Sequence, residues 1–298
     1  MELDLIEGTI CIFLTGHGII GNISVFLNYI FSFWEGTVKK SIHLILIHLA
    51  LTNIIMLLSK GMPKTIAAFG LRNFLDSTGC KIIVFLDRVA RGHSICTTSL
   101  LTVVQAIMIS PSTSRWRRLK LRSTWDILLF LLFFWILNSL ISMNLLNSIR
   151  SSNMNTSQIS KNNYYCYFLP GRKEIQWLFF MLMILRDIMF QSVMGGASSY
   201  MIFLLHKHHQ RVRYLQSPQL LYKTPPEMKA VHSVLLLMLC FLFFYWTECV
   251  FSLLLYSSLE NNPVVLGIRE FLTLGFAILS PFVLILRDGN LAACWSPW

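Results

Sequence analysis

Charge is scarce in this chain, and its distribution is uneven. Charged residues fill 13% of the 298 positions, about half the ~25% usual in a soluble domain. Four long stretches contain none: between Glu7 and Glu35, Lys40 and Lys60, Gly92 and Ser114, and Asp126 and Arg150. Acidic residues are the rarer sign, 14 against 25 Lys plus Arg. Recognisable catalytic patterns are also missing. His17, His43, His48, His93 and His232 stand singly, with no paired metal-ligand spacing and no His-Glu-x-x-His helix. No glycine-rich phosphate loop occurs, and Gly195-Gly196-Ala197-Ser198-Ser199 reads as a small-residue patch where another helix can approach closely. No enzyme, metal or cofactor is therefore expected. No ten-residue alternation suggests a barrel strand, no repeat with broken helices suggests a transporter, and no filter or charge ring suggests a channel.

What is present is apolar length. Hydrophobic residues make up 55% of the chain. Crossing ~30 Å of hydrocarbon takes about 20 mostly apolar residues at ~1.5 Å each, and only helices or closed barrels satisfy their backbone there. Seven stretches qualify, at about 9–33, 42–67, 80–110, 125–148, 175–205, 230–257 and 264–286. The loops are too short to fold alone. The expected architecture is an all-α membrane protein, one seven-helix bundle over residues 1–298.

Charge placement orients it. Lys39, Lys40, Arg115, Arg117, Arg118, Lys120, Arg122, Lys207, Arg211, Arg213, Lys223, Lys229 and Arg287 give 13 basic residues on one side against six on the other. The positive-inside rule makes the first side cytoplasmic. The N-terminus, with Glu2, Asp4 and Glu7 and no basic residue, is then extracellular and the C-terminus cytoplasmic. No signal-peptide pattern opens the chain, so the first span is expected to insert uncleaved. The net charge of +11 is accounted for by topology rather than by a nucleic-acid surface.

Two covalent features fit that orientation. Asn155-Thr156-Ser157 is a glycosylation sequon in the second outer loop. Cys80 opens the third span and Cys166 lies in the same loop, on the oxidising side where a disulfide persists. The alternative is two buried thiols, since Cys is also a common small core residue. The bridge is the expected state. Cys11, Cys96, Cys240 and Cys249 read as packing residues, and Cys294 as a candidate for palmitoylation.

Ionisable residues within spans mark function by default. Lys60 lies near the outer end of the second span; Asp87, Arg88 and Arg91 fall 7 to 11 residues down the third, roughly 10–17 Å at the helical rise. Arg186 and Asp187 lie at a similar depth in the fifth, and Glu248, Arg269 and Glu270 near the outer ends of the sixth and seventh. Asp87 and Arg91 are four apart, so they share a face and can pair. Ion pairs that only lock the bundle would account for any one of these residues. Their convergence on one level predicts a polar outer vestibule.

The details resemble one receptor family. Lys60-Gly-Met-Pro-Lys-Thr-Ile-Ala-Ala-Phe-Gly70 and Gly79-Cys-Lys-Ile-Ile-Val-Phe-Leu-Asp-Arg-Val-Ala-Arg-Gly92 are similar to vomeronasal type-1 receptors. So are Ser94 through Ile107, Arg186-Asp187, His208-His209-Gln210-Arg211-Val212, Pro226-Glu227-Met-Lys-Ala230 and Ser280-Pro281-Phe-Val-Leu284. The rhodopsin-like pattern fits less well. Ala106-Ile-Met-Ile-Ser-Pro111 stands where Asp-Arg-Tyr would close the third span, Ser280-Pro281 replaces Asn-Pro-x-x-Tyr, and Asn53 replaces an Asp. Asp87 departs from the vomeronasal pattern, where His is common, and Glu248 is a further departure.

The resemblance implies a plasma-membrane, G-protein-coupled pheromone receptor. Its partners would be a small, often volatile ligand and a heterotrimeric G protein of inhibitory type, with no cofactor. Ligand-pocket candidates are Lys60, Asp87, Arg88, Arg91, Arg186, Asp187 and Glu248. Gln105, Ser110, Arg115, Arg117, Arg118, Arg211 and Arg213 are candidates to face the G protein. The alternatives are a small helical transporter or channel using the buried charges, and a bitter-taste-type receptor, against which the Arg88–Gly92 segment argues.

Overall fold

The computed structural model describes residues 2–35, 40–68, 76–111, 124–144, 146, 149–151, 166–168, 173–215, 235–236, 239–240, 242–247 and 263–287. Among these, helix α1 spans Glu2–Trp34 and α2 spans Lys40–Met56; a wider π-type turn, Leu57–Gly61, leads into α3, Met62–Ala68. Then follow α4 (Ser77–Ile109), α5 (Thr124–Ser142), strands β1 (Ile149–Ser151) and β2 (Cys166–Phe168), α6 (Lys173–Leu215) and α7 (Pro263–Arg287). Five stretches are long and apolar enough to cross a membrane: Gly8–Trp34, Ser41–Gly61, Thr78–Ile109, Thr124–Ser142 and Trp177–Lys207. Of the expected sixth span, 242–247 is the longest described helical piece. The seventh corresponds to α7, whose apolar stretch is Leu272–Ile285.

The helices pack around α4. It lies against α2, α5 and α6, while α1 packs on α2 and α7. The core joins Ile45, Leu46 and Leu49 of α2 to Ile95 and Leu101 of α4, Leu131 and Phe134 of α5, and Phe276 of α7. Large apolar side chains on the outer faces stay exposed: Phe13 and Phe31 of α1, Leu132 and Phe133 of α5, Trp177, Leu178 and Phe203 of α6. In water such a surface would aggregate. In lipid it faces a solvent as apolar as itself.

Polar atoms do part of the binding between helices. Pro281 sits inside α7 and has no N–H for the carbonyl four residues earlier. Asn22 of α1 replaces that donor, its Nδ2 reaching the Ala277 carbonyl at 2.8 Å. Asn53 of α2 donates to Asn22 Oδ1 at 3.1 Å and to Ser280 Oγ at 2.8 Å. One amide therefore repairs a proline defect and anchors a second amide, which ties three helices together. At the π-type turn α1 comes close: a β-carbon on Gly61 would lie 2.7 Å from the Thr15 side chain.

The structure departs from the sequence reading in two places. An antiparallel two-stranded ribbon, β1 with β2, interrupts the otherwise helical architecture of the described residues; its backbone lies between α5 and α6, where pairing satisfies groups that no helix covers. The second span passes through a π-type turn rather than running as one regular helix. Helix α6 extends from Lys173 to Leu215, past the apolar stretch and into the basic segment, as that segment's composition suggests.

Candidate functional site

The N-terminal end of α4 is fixed first. Asp76 caps it, its Oδ1 accepting from the Gly79 N–H at 2.7 Å, an N-cap that satisfies one orphan donor of the first turn. Cys80 follows, fully buried. The ribbon packs on α4 through β1, and in its register Cys166 stands opposite Ser151. Asn155 lies outside the described residues.

Below that point the charges gather on α4 and α6. Arg186 is 6% exposed and spends its guanidinium on two partners. Its Nε and Nη2 donate to Asp187 Oδ1 at 2.8 and 2.6 Å, and its Nη1 donates to Asn138 Oδ1 at 2.6 Å. Asn138, on α5 and fully buried, then donates through Nδ2 to the Phe134 carbonyl at 2.7 Å and towards Cys96 Sγ at 3.7 Å. Each polar atom of the amide is used. This matters at a depth where an unmet group costs several kcal/mol.

Gly92 makes room for that junction. A β-carbon there would clash with Asn138 Oδ1 and with Arg186 Nη1, and would stand 2.8 Å from Arg186 Cζ. The residue ending the most specific stretch of the family resemblance is thus the floor on which three helices exchange hydrogen bonds.

The charges on α4 turn elsewhere. Arg88 Nη1 reaches Met183 Sδ of α6 at 3.1 Å. Arg91 holds its guanidinium carbon 5.4 Å from the centre of the Tyr245 ring, a cation–π distance. The Asp87–Arg91 pair that their spacing permits is not made among the described residues, and Asp87 Oδ1 is buried without a hydrogen-bond partner. Lys60, in the π-type turn, is half-buried. Glu248 lies outside the described residues.

Deeper in the bundle, His93 is fully buried and stacks on Trp135 with centroids 4.4 Å apart. His48 of α2 approaches it at 6.2 Å. Neither the residue pair nor Asn138 stood out as a site in the sequence. The available signal was a lone amide or imidazole in an apolar span, which also fits an ordinary packed residue.

At the C-terminal end of α4, Ser110 Oγ and the Tyr200 hydroxyl of α6 are 2.8 Å apart. Ser110 also caps α4, its N–H donating to the Ala106 carbonyl at 3.2 Å. Gln105 is 6% exposed with Oε1 unpartnered among the described residues. Arg211 and Arg213 fall near the C-terminal end of α6, and Arg115, Arg117, Arg118 and Cys294 lie outside the described residues. No group of three or more His, Cys, Asp or Glu that could hold a metal occurs among the described residues.

Residues 8–296 match the family model described as the vomeronasal organ pheromone receptor family. Human vomeronasal type-1 receptor 4 is 33% identical over 283 residues, covering 94% of each chain. Human vomeronasal type-1 receptor 3 is 36% identical over 277 residues, 91% of this chain and 87% of the relative. A zebrafish (Danio rerio) olfactory receptor class A-like protein 1 is 28% identical over 290 residues, 97% of this chain and 91% of the relative.

Proposed function

This chain belongs to the vomeronasal type-1 receptor family, multi-pass membrane receptors and not enzymes, and on that premise we propose that it is a chemosensory receptor. It binds a small ligand in an outer-half cavity and passes the signal to an inhibitory-type G protein. Its seven spans form one domain, with the N-terminus outside and the C-terminus in the cytoplasm. The observation that carries the reading is the meeting of α4, α5 and α6 in the outer half, where Arg186, Asp187 and Asn138 form one network beside Asp87, Arg88 and Arg91. Buried charge of this kind marks function more often than stability. Lys60 and Glu248 are assigned to the same vestibule.

A ligand that binds one arrangement of these helices more tightly shifts the balance between inactive and active forms by that differential affinity. The network joins the helices that would move, so outer occupancy and inner shape are coupled through α4 and α6. At the inner end Gln105 and Ser110, with Arg115, Arg117, Arg118, Arg211 and Arg213, are assigned to the G-protein face. Because Gln105 and Ser110 are enclosed, their exposure would accompany opening. A Cys80–Cys166 bridge would tie the second outer loop to α4 and narrow the cavity mouth, and Asn155 would carry glycan on the same side.

The test is ligand-evoked nucleotide exchange on an inhibitory-type G protein in membranes carrying the full chain. Exchange that depends on both ligand and receptor supports the reading. Ligand-gated current or uptake from the protein alone, without exchange, sinks it in favour of a channel or transporter. Gln105→Leu should lower evoked exchange at unchanged surface expression; wild-type exchange in that variant removes Gln105 from the coupling face.

A further inference from the structure

Most outer charges have a counter-group. Asp187 accepts twice from Arg186, Asp76 caps α4, Arg88 meets Met183, and Arg91 lies over Tyr245. Asp87 does not fit this pattern. Its Oδ1 is buried and lacks a hydrogen-bond partner among the described residues, although Arg91 stands one turn below on the same face and Arg88 is its neighbour in sequence. Both guanidinium groups are directed to other helices.

A carboxylate oxygen held away from water without a donor is costly, more so inside a bilayer. Such an orphan calls for a donor that the described residues do not supply. The chemistry of that group follows from the site. It must donate a hydrogen bond, and a cationic donor makes a bond about twice as strong as a neutral one. It must reach a level seven residues below the fully buried Cys80. Ile83, Val84 and Ala90 share the helix face with Asp87, as does Arg91, whose guanidinium lies over Tyr245; Met183 bounds the same depth through Arg88, so the remaining positions suit an apolar body. A carboxylic or sulfated compound would leave Oδ1 unpaired and bring a second anion beside it.

We propose that Asp87 is the ligand anchor and that the ligand is a small protonated amine with an apolar body, whose N–H completes the missing bond to Oδ1. The inference rests on the receptor reading above and adds the ligand class to it. The network of Arg186, Asp187 and Asn138 then acts as the rigid wall behind the anchor, since its own bonds are already made.

The full chain in lipid nanodiscs would be probed with phenethylamine and isoamylamine, the matched alcohols phenethyl alcohol and isoamyl alcohol, and the matched carboxylic acids. Thermal stabilisation reads binding without a G protein, and nucleotide exchange reads signalling. The amines should act at concentrations about 10- to 100-fold below the alcohols, the range of one charge-assisted bond. Asp87→Asn should abolish that gap, while Asp87→Glu should keep part of it. Alcohols or acids matching the amines on the wild-type chain overturn the proposal even if Asp87→Asn fails to fold. A gap that survives in Asp87→Asn, or no amine effect in either readout, also overturns it. Amine stabilisation without exchange leaves the anchor standing and removes the receptor reading. Exchange evoked only by alcohols or acids does the reverse.

Discussion

Arg186 of α6 reaches Asn138 of α5 across the backbone of α4 at Gly92, where a β-carbon would stand 2.8 Å from the guanidinium carbon. The absence of a side chain on one helix is therefore the condition for a hydrogen bond between two others. The guanidinium cannot retreat easily, since its remaining nitrogens hold Asp187.

Gly92→Ala should displace the guanidinium and destabilise the folded chain by about 1–3 kcal/mol, the usual cost of forcing an extra carbon into a packed site. Thermal unfolding in nanodiscs measures it. Asn138→Ala in the same chain removes one of the two clashing groups, so the double variant should lose less than the sum of the singles. Strict additivity would mean that the two sites do not share this junction.

Arg186→Met leaves Asp187 as a half-buried charge with its bonds lost, and should cost more than Arg186→Met with Asp187→Leu. Breaking one side of a buried pair is worth about 3–5 kcal/mol. Asp187 keeps 18% of its side-chain surface, so the loss should fall at or below the lower end. Equal stability of single and double variants would show that the pair is not coupled.

Asn22→Leu removes the only side-chain donor described for the Ala277 carbonyl, which Pro281 cannot serve from within the helix. The expected loss is about 1–3 kcal/mol, the range for an orphaned buried acceptor. Pro281→Ala restores a backbone N–H at the right spacing and should recover part of it in the double variant. A full loss persisting there would assign the effect to packing.

Tyr200→Phe deletes one hydroxyl and with it the 2.8 Å contact to Ser110. A hydrogen bond worth about 0.5–1.5 kcal/mol corresponds to a roughly 2- to 10-fold rise in basal nucleotide exchange if the contact holds the inner ends of α4 and α6 together. Unchanged basal exchange at normal surface expression would limit the contact to a structural role.

The proposed Cys80–Cys166 bridge and the Asn155 glycan have direct tests. Non-reducing peptide mapping should recover the two cysteines in one fragment, and glycosidase should increase gel mobility. Two free thiols at these positions, or unchanged mobility, would remove the respective feature. Cys166→Ser should lower stability by ~2–4 kcal/mol.

Much of the scaffold follows from local sequence. The charge-free stretches locate helices because hydrocarbon penalises unpaired backbone and charge wherever they occur, without reference to a neighbour. The long extension of α6 into the basic segment, the Asp76 cap and the depth of Asp87, Arg88, Arg91, Arg186 and Asp187 along their helices are of the same kind. Each depends on residues within a few turns, or on distance from a helix end.

The pairing of those charges was decided elsewhere. Spacing on one helix makes Asp87 and Arg91 possible partners, yet Tyr245, 154 positions beyond Arg91, takes the guanidinium. Asn138 looks like any amide in an apolar span until Arg186 arrives 48 residues later, and Gly92 looks like a helix weakness until both cross it. Gln105 and Ser110, expected to be presented on the inner face, are both buried, and α6 brings Tyr200 onto Ser110 and Met201 against Ala106 at that level. Composition sets the energy of burying a group in the membrane and so determines depth. Which group meets which depends on the rotation and approach of separate helices, and only their packing together settles that.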